Sequence, residues 1–368
     1  MLVLCLRPHK LGQTIPRCAG ADTIPPRSEA AAATRSPIRK LLKRAAEAGF
    51  ASDFVRGVIL PDWWSKECDS DASLLPELEI RLSRFLGIAL SELRIAEAPL
   101  RPRPLAAPKL RRAAGVGSDR LAPAIHAALR VAGAVVRNLS TTTPQVQALP
   151  TDASEWRRHL LQQGQPPTLQ SVVPELWGRG IPVIHMELLP SPKFQGLAAI
   201  VHGRPVVVLG QMQDAPARLA FWMLHEAAHI GYGDCSGDQV VVDESEESSP
   251  AHDKLELRAD AFAWRVLTGG GDLPPAPSFV PKKLAQFAVD VAASLKADPG
   301  IVVWSIAHRA GQYPAGAAAL RALFRDTGGQ QVLRVALDEY LDLDSATEFD
   351  RQLLRCIARD PERAATPH

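Results

Sequence analysis

The segment from Phe221 to Gly231, FWMLHEAAHIG, constrains this chain more than any other stretch of its sequence. Asp214 and Pro216 precede it as helix-start signals, and no helix breaker follows until its end. Gly231 and Gly233 are stop signals. The pattern therefore predicts one helix across the whole segment.

Two histidines and a glutamate stand on this predicted helix at H-E-x-x-H spacing. Because His225 and His229 are four residues apart, a helix places them on one face, where they can bind the same metal ion. Glu226 points to the side, within reach of a water on that metal. Zinc hydrolases use this arrangement. The alternative is an amphipathic helix with two solvent-facing histidines.

The composition is that of a globular protein with an ample core, and the length of 368 residues suggests two or three domains. Lys and Arg total 42 against 40 Asp and Glu, so net charge gives no argument for nucleic acid. The five cysteines have no C-x-x-C spacing, which fits a reducing cytosol. No apolar run reaches the length of a membrane span. We expect a cytoplasmic protein without a membrane partner.

The N-terminal third is expected to hold a disordered leader (1–35), a helical module (36–95) and a Pro/Arg-rich linker (96–118). Within the module, Pro61–Trp64 followed by Leu78–Ile88 is similar to a phage-repressor helix-turn-helix. Few basic residues stand where a recognition helix would need them. DNA binding through residues 36–112 and a helical interaction or dimerisation module are therefore both open.

Residues 119–272 are expected to form one domain that contains the H-E-x-x-H helix. A change from helical to alternating periodicity before that helix predicts a small sheet, with a hairpin turn at His202–Gly203. A sheet edge beside a site helix is also a place where an extended peptide can bind by strand addition. The predicted helices are 119–139, 153–163 and 169–178, and the predicted strands are 181–187, 197–201 and 206–209.

A second helix, predicted over residues 254–267, carries a candidate for the third metal ligand, which the first helix lacks. Glu256 and Asp260 are four residues apart on it and share a face. Catalytic zinc sites use three protein ligands, so Glu256 can complete the set with two histidines. Asp260 is placed to accept the N–H of a ligating histidine. The other candidates for the third ligand lie in or beside the preceding loop: His252, Asp253 and Glu247.

The H-E-x-x-H helix and the sequence Glu256–Ala263 (ELRADAFA), 27 residues after it, resemble the ImmA/IrrE family of bacterial metallopeptidases over about residues 150–270. The resemblance implies Zn²⁺ bound by His225, His229 and Glu256, with Glu226 as the general base. It also implies cleavage of a repressor-type transcription regulator in a phage, mobile-element or stress-response circuit. The expected fold class is α+β, mainly helical, with a zincin-like core and an all-α N-terminal module.

The chain departs from that family at three places. Arg258 stands where many relatives have an acid, and the acidic residues 234–253 have no obvious counterpart. Residues 273–368 are expected to be helical and are the least similar. There, His308 and Tyr313 are candidates for hydrogen bonds to a developing oxyanion, which residue type alone supports. Ordinary surface or packing roles are the alternative.

Three functions remain open from the sequence. The first is a zinc endopeptidase. The second is a regulatory protein that binds DNA or a repressor and uses the peptidase-like domain to sense metal or hold a partner without cleavage. The third is a zinc hydrolase of small substrates, for which a deep closed pocket would be expected instead of an open groove.

Overall fold

The computed structural model describes residues 36–96, 98–103, 109–112, 118–164, 166–210, 214–235, 239–243, 254–271 and 273–358. It is an α+β fold, mainly helical, with one small sheet. The predicted leader (1–35) and most of the acidic loop lie outside these residues. So do three residues weighed as ligands, which are Glu247, His252 and Asp253.

The N-terminal module consists of short helices joined by tight turns. Helix α1 is amphipathic and turns its apolar side chains inward. The chain leaves α3 at Gly87, whose φ of 69° is the left-handed conformation that ends many helices. The elements are α1 (Pro37–Glu47), α2 (Ser52–Phe54, continued as a π-helix over Val55–Ile59), two 3₁₀ turns (Glu67–Ser70, Ala72–Leu74), α3 (Leu75–Leu86) and α4 (Leu90–Leu93).

Five strands in the described part of the chain form one mixed sheet in the order β1-β5-β3-β4-β2. The predicted hairpin is confirmed: β3 and β4 pair antiparallel around His202 and Gly203, which both have positive φ. The outer pairs β1–β5 and β2–β4 are parallel. The strands are β1 (Lys109–Arg112), β2 (Val183–His185), β3 (Gly196–Val201), β4 (Arg204–Leu209) and β5 (Gln239–Asp243).

The remaining helices include four that pack against this sheet. The H-E-x-x-H segment lies in α8, and the Glu256 segment lies in α9, as the periodicity predicts. The helices are α5 (Ser118–Arg137), α6 (Ala153–Gln162), α7 (Leu169–Gly178), α8 (Pro216–Gly231), α9 (Lys254–Thr268), α10 (Pro281–Leu295), α11 (Pro299–Arg309), α12 (Tyr313–Ala322), α13 (Gly329–Tyr340) and α14 (Glu348–Leu354).

One hydrophobic core runs through all three predicted regions of the chain. Buried side chains of the N-terminal module, of the central domain and of the C-terminal helices belong to the same cluster. Ion pairs cross between these regions as well. Arg81 of α3 binds Glu348, and Arg137 of α5 binds Asp350. The module and the C-terminal region are therefore packed onto the central domain.

In the segment compared with a helix-turn-helix, residues 61–64 lie in a turn, and residues 78–88 overlap helix α3. Between Ile59 and Leu75 the chain forms only turns and the two 3₁₀ segments. The Trp64 indole N–H donates to Asp69 across this turn at 3.1 Å. DNA binding and a helical interaction module therefore both stay predictions.

Two local predictions are wrong. Asp214 does not cap α8, whose N-cap is Ala215 without a side-chain hydrogen bond. Its carboxylate instead accepts the backbone N–H groups of Gly328 and Gln330 at 2.8 Å each, where α13 begins. In addition, part of the predicted linker forms β1 and the residues before the acidic loop form β5, so the sheet is larger than predicted.

Among the described helices, none combines the length and the apolar character that crossing a bilayer requires.

His126 on α5 makes the stability of the fold depend on pH. Its ring is buried, donates to the Phe85 carbonyl at 2.8 Å, and burial lowers its pKa from 6.5 to about 4. Between these two pH values, the unfolded chain therefore binds a proton at His126, whereas the folded protein keeps the ring neutral. We expect the free energy of unfolding to fall by about 2–3 kcal/mol as pH drops from about 6.5 to about 4. In His126→Gln, which keeps an N–H donor, urea unfolding should lose that part of the pH dependence.

His159→Gln is the control, because the His159 side chain is 51% exposed. It should keep the wild-type profile. An unchanged pH profile in His126→Gln would show that His126 is not the group responsible.

Candidate metal centre

Helix α8 is buried on nearly all sides, and its polar side chains are buried with it. Every residue from Leu219 to His229 is buried, including both histidines and Glu226. A helix that is apolar on all sides lies inside a core rather than on its surface. The alternative of a surface helix with solvent-facing histidines is therefore wrong.

Helix α9 packs directly against α8 and carries the second part of the site. The rings of Phe221 and Trp264 lie 4.3 Å apart at this contact. Ala259 and Ala263 are fully buried beside it, and such small side chains allow the two helices to approach closely. The acidic pair Glu256 and Asp260 consequently faces α8 rather than solvent.

The structure brings His225, His229 and Glu256 together, each with one ligand atom in a compact buried cluster. His225 Nε2 lies 3.0 Å from Glu256 Oε2 and 3.1 Å from His229 Nε2. The third distance, from His229 Nε2 to Glu256 Oε2, is 3.5 Å. Two imidazole nitrogens and a carboxylate oxygen thus form a nearly equilateral triangle.

This triangle has the size that a tetrahedral zinc site requires. Zinc bonds to nitrogen and carboxylate oxygen are about 2.0–2.1 Å long, so ligand atoms of one tetrahedron stand about 3.3 Å apart. The three separations in the structure bracket that value. Two histidines and one carboxylate are also a ligand set of catalytic zinc sites that keep a fourth position open. The residues present therefore fit the metal that their spacing predicted.

The carboxylate of Glu256 is held ionised by its neighbours. Burial acts to raise its pKa, but the hydrogen bonds and charges of His225 and His229 outweigh burial and lower the pKa well below the ordinary value. An ionised carboxylate is the form that binds a metal ion.

Glu226 is fully buried beside the triangle but is not one of its corners. Its side chain lies against Gly196, the first residue of β3. A Cβ atom at position 196 would stand only 2.8 Å from Glu226 Cδ, a separation that real Cβ atoms essentially never have. Glycine at this position therefore makes the space that Glu226 occupies. Because β3 pairs with β4 and β5 on its two sides, it is not an open edge for strand addition.

Each histidine of the triangle has a carboxylate behind it. His225 Nδ1 lies 2.9 Å from Asp260 Oδ1, in the arrangement predicted from the sequence. His229 Nδ1 lies 3.0 Å from Asp234 Oδ2. With Nδ1–H donating to a carboxylate, each ring can direct the lone pair of Nε2 toward the centre of the triangle.

Asp234 and its partner Arg258 are the residues that sequence reasoning missed. Arg258 Nη2 donates to both oxygens of Asp234 at 2.9 and 2.8 Å. The signal available was the pair of glycines that ends the helix, since Gly233 has a φ of 75° and turns the chain back toward His229. Arg258, which departs from the family pattern, thus has a structural partner.

His308 and Tyr313 belong to an aromatic cluster rather than to the triangle. The His308 ring lies 5.4 Å from Trp304 and 5.8 Å from Phe221, and Tyr313 stands 6.0 Å from both His308 and Trp304. These contacts support the packing roles, and an oxyanion role stays a prediction. Cys235 is buried against Ala198 and Val241 and lies outside the metal-binding cluster.

Comparisons with known proteins give no relative: no family model matches the chain, and neither the curated proteins nor the solved structures provide a match. What the site can do is therefore judged from its own residues and their geometry. A buried triangle of metal ligands beside a glutamate can support metal-assisted hydrolysis.

Gly196→Ala tests the placement of Glu226. The added methyl group needs the space of the Glu226 side chain, so we expect the carboxylate to move and the fold to lose about 1–3 kcal/mol from overpacking. The three atoms nearest to that position all belong to Glu226 and none to His225, His229 or Glu256. Zinc affinity should consequently stay near the wild-type value, measured by competition with a chelator.

Gly178→Ala is the matched control, because a Cβ atom at position 178 meets nothing within 4 Å. It should raise the stability by at most about 1 kcal/mol and leave zinc binding unchanged. Gly196→Ala with wild-type stability and an unmoved Glu226 in a crystal structure would contradict the close packing described above.

Proposed function

We propose that this protein is a zinc-dependent endopeptidase in which His225, His229 and Glu256 hold Zn²⁺ and Glu226 is the general base. The observation that carries the proposal is the buried triangle of ligand atoms with Glu226 on the same helix as both histidines. When bound there, zinc would polarise the scissile carbonyl group and lower the pKa of a water molecule toward neutrality.

The protein's own contribution is the handling of a proton. Glu226 takes the proton of the attacking water at its carboxylate and then gives it to the leaving amine. The buried position of Glu226 holds the carboxylate in one place, and Gly196 leaves room for it. Asp260 orients the His225 ring, while Glu256 stays ionised beside both histidines. The sequence of sheet, H-E-x-x-H helix and Glu-bearing helix supports a zincin-like core.

For the substrate we propose a repressor-type transcription regulator, in a phage, mobile-element or stress-response circuit. The support is the resemblance of the two site helices to ImmA/IrrE metallopeptidases. This assignment places the enzyme in the cytoplasm, where such a regulator works.

The alternative is a regulatory protein that binds DNA or a repressor without cleaving it. Three arginines of residues 36–112 are paired with acids within the fold: Arg56 binds Asp69, Arg94 binds Glu79 at 2.7 Å, and Arg103 binds Glu92 at 2.6 Å. Guanidinium groups paired in this way offer little to a phosphate backbone. The paired arginines therefore favour a protein partner over DNA.

Glu226→Gln separates the two functions. The amide keeps the shape of the side chain but cannot accept a proton, so cleavage should fall by about 10²–10⁴-fold or more. Zinc content should remain one ion per chain, because Glu226 is not a ligand. The measurements are metal analysis of purified protein and cleavage of the repressor encoded beside this gene. If the variant cleaves as fast as wild type, or keeps its regulatory effect in cells, the proposed mechanism fails.

Glu256→Gln tests the third ligand. A neutral amide is a poor substitute for a carboxylate, so zinc affinity should fall by more than the roughly 10–100-fold that follows the loss of an outer-shell partner. Glu175→Gln is the control. Glu175 is distant from Glu256 in the chain and pairs with His159. Equal zinc affinity in Glu256→Gln and wild type would remove Glu256 from the ligand set.

A further inference from the structure

Asp234 is a buried carboxylate that the proposed chemistry does not use. Its side chain is 6% exposed, and it lies 3.0 Å from Nδ1 of His229, which is completely buried. Burying a carboxylate is costly unless it is paired and hydrogen-bonded. Asp234 is buried in contact with His229, one of the predicted zinc ligands, and this contact offsets part of that cost.

The turn that follows helix α8 brings Asp234 to His229. Helix α8 ends at Gly231, and Gly233 adopts a left-handed conformation. The N–H of Asp234 then donates to the carbonyl oxygen of His229 at 2.9 Å. The turn therefore brings the carboxylate back beside the helix that it has just left.

Arg258 connects this carboxylate to the other site helix. It lies two residues after Glu256 on α9 and donates to both oxygens of Asp234. Its guanidinium group also stacks 3.9 Å above the Tyr232 ring. Asp234, Arg258 and Tyr232, which we call the Asp234 latch, consequently join the end of α8 to the beginning of α9.

We propose that the Asp234 latch positions His229 for metal binding and holds the ligands of α8 and α9 in register. Asp234 fixes the ring and the tautomer of His229, so that Nε2 faces Glu256 and His225. Arg258 neutralises Asp234 and ties it to the helix that carries Glu256. Asp234 is thus a positioning residue, acting through His229. This inference rests on the proposed zinc site and adds the element that arranges it.

The two carboxylates that contact the histidines differ in solvent exposure, and this difference makes the inference specific. The Asp260 side chain is 24% exposed, compared with 6% for Asp234. A hydrogen bond in a drier environment is stronger, and the loss of one partner there leaves the other group buried and unsatisfied. The Asp234 contact should therefore matter more to zinc affinity than the Asp260 contact.

The test measures zinc affinity by chelator competition in variants of the full chain. Asp234→Asn keeps the shape but loses the charge, and we expect zinc affinity to fall about 10–100-fold. Asp260→Asn should lose less. Arg258→Met removes the counter-ion and should weaken binding in the same direction as Asp234→Asn. Cobalt-substituted protein should give altered d–d absorption bands in the Asp234 and Arg258 variants.

Asp62→Asn is the matched control. It removes the same charge from an ion pair with Arg355, in which both side chains are 42% exposed and distant in the chain from either site helix. Zinc affinity and the cobalt spectrum should both stay at wild-type values. If folded Asp234→Asn binds zinc within about twofold of wild type, Asp234 is only structural and the inference fails.

A second readout does not depend on zinc. The imidazole Nδ1 proton of His229, held by Asp234, should give a slowly exchanging NMR signal in metal-free protein. This signal should disappear in His229→Gln, which assigns it, and in Asp234→Ala. If the wild-type protein binds no zinc, the proposed function fails. The NMR signal still shows whether Asp234 holds the His229 ring. Absence of the signal in wild type, or its persistence in Asp234→Ala, overturns the latch.

Discussion

The contact between α8 and α9 is the interaction on which the rest of the structure depends. It buries two histidines and the carboxylates of Glu256 and Asp234 in a region with almost no access to water. Groups of this kind destabilise a fold unless each finds a partner. They find their partners in one another, across the two helices. The same distances that satisfy these groups, 3.0–3.5 Å between ligand atoms, also match the edges of a tetrahedral zinc site. The proposed metal binding would therefore be linked to folding at this contact.

The flanking regions hold the two helices in place. Arg157 of α6 donates to the carbonyl oxygens of Val266 at 2.8 Å and Leu295 at 2.6 Å, near the ends of α9 and α10. Asp214, just before α8, caps the start of α13. The C-terminal helices thus take part in the same framework as the site, although their sequence pattern was the hardest to interpret. Such support from packed elements is what keeps ligands within reach of a productive geometry.

Much of this arrangement could be predicted from the sequence, because it depends on local periodicity. Spacings of four residues determine which side chains share a helical face, and this was enough to bring His225, His229, Glu256 and Asp260 together. The missed features depend on non-local geometry. Strand β1 needs a partner more than a hundred residues away, and Asp214 caps a helix that begins at Gly329. Asp234 lies in a turn whose direction is set by Gly233, and its partner Arg258 belongs to another helix.

We propose that a single zinc ion binds to two imidazoles and one carboxylate between α8 and α9. X-ray absorption at the zinc edge of the purified, zinc-loaded protein tests it most directly, because scattering distinguishes light ligands from sulfur. We expect one zinc per chain, surrounded by nitrogen and oxygen at about 2.0–2.1 Å with the imidazole pattern of two histidines. Sulfur scattering at about 2.3 Å, or a protein that retains no zinc, would contradict this account.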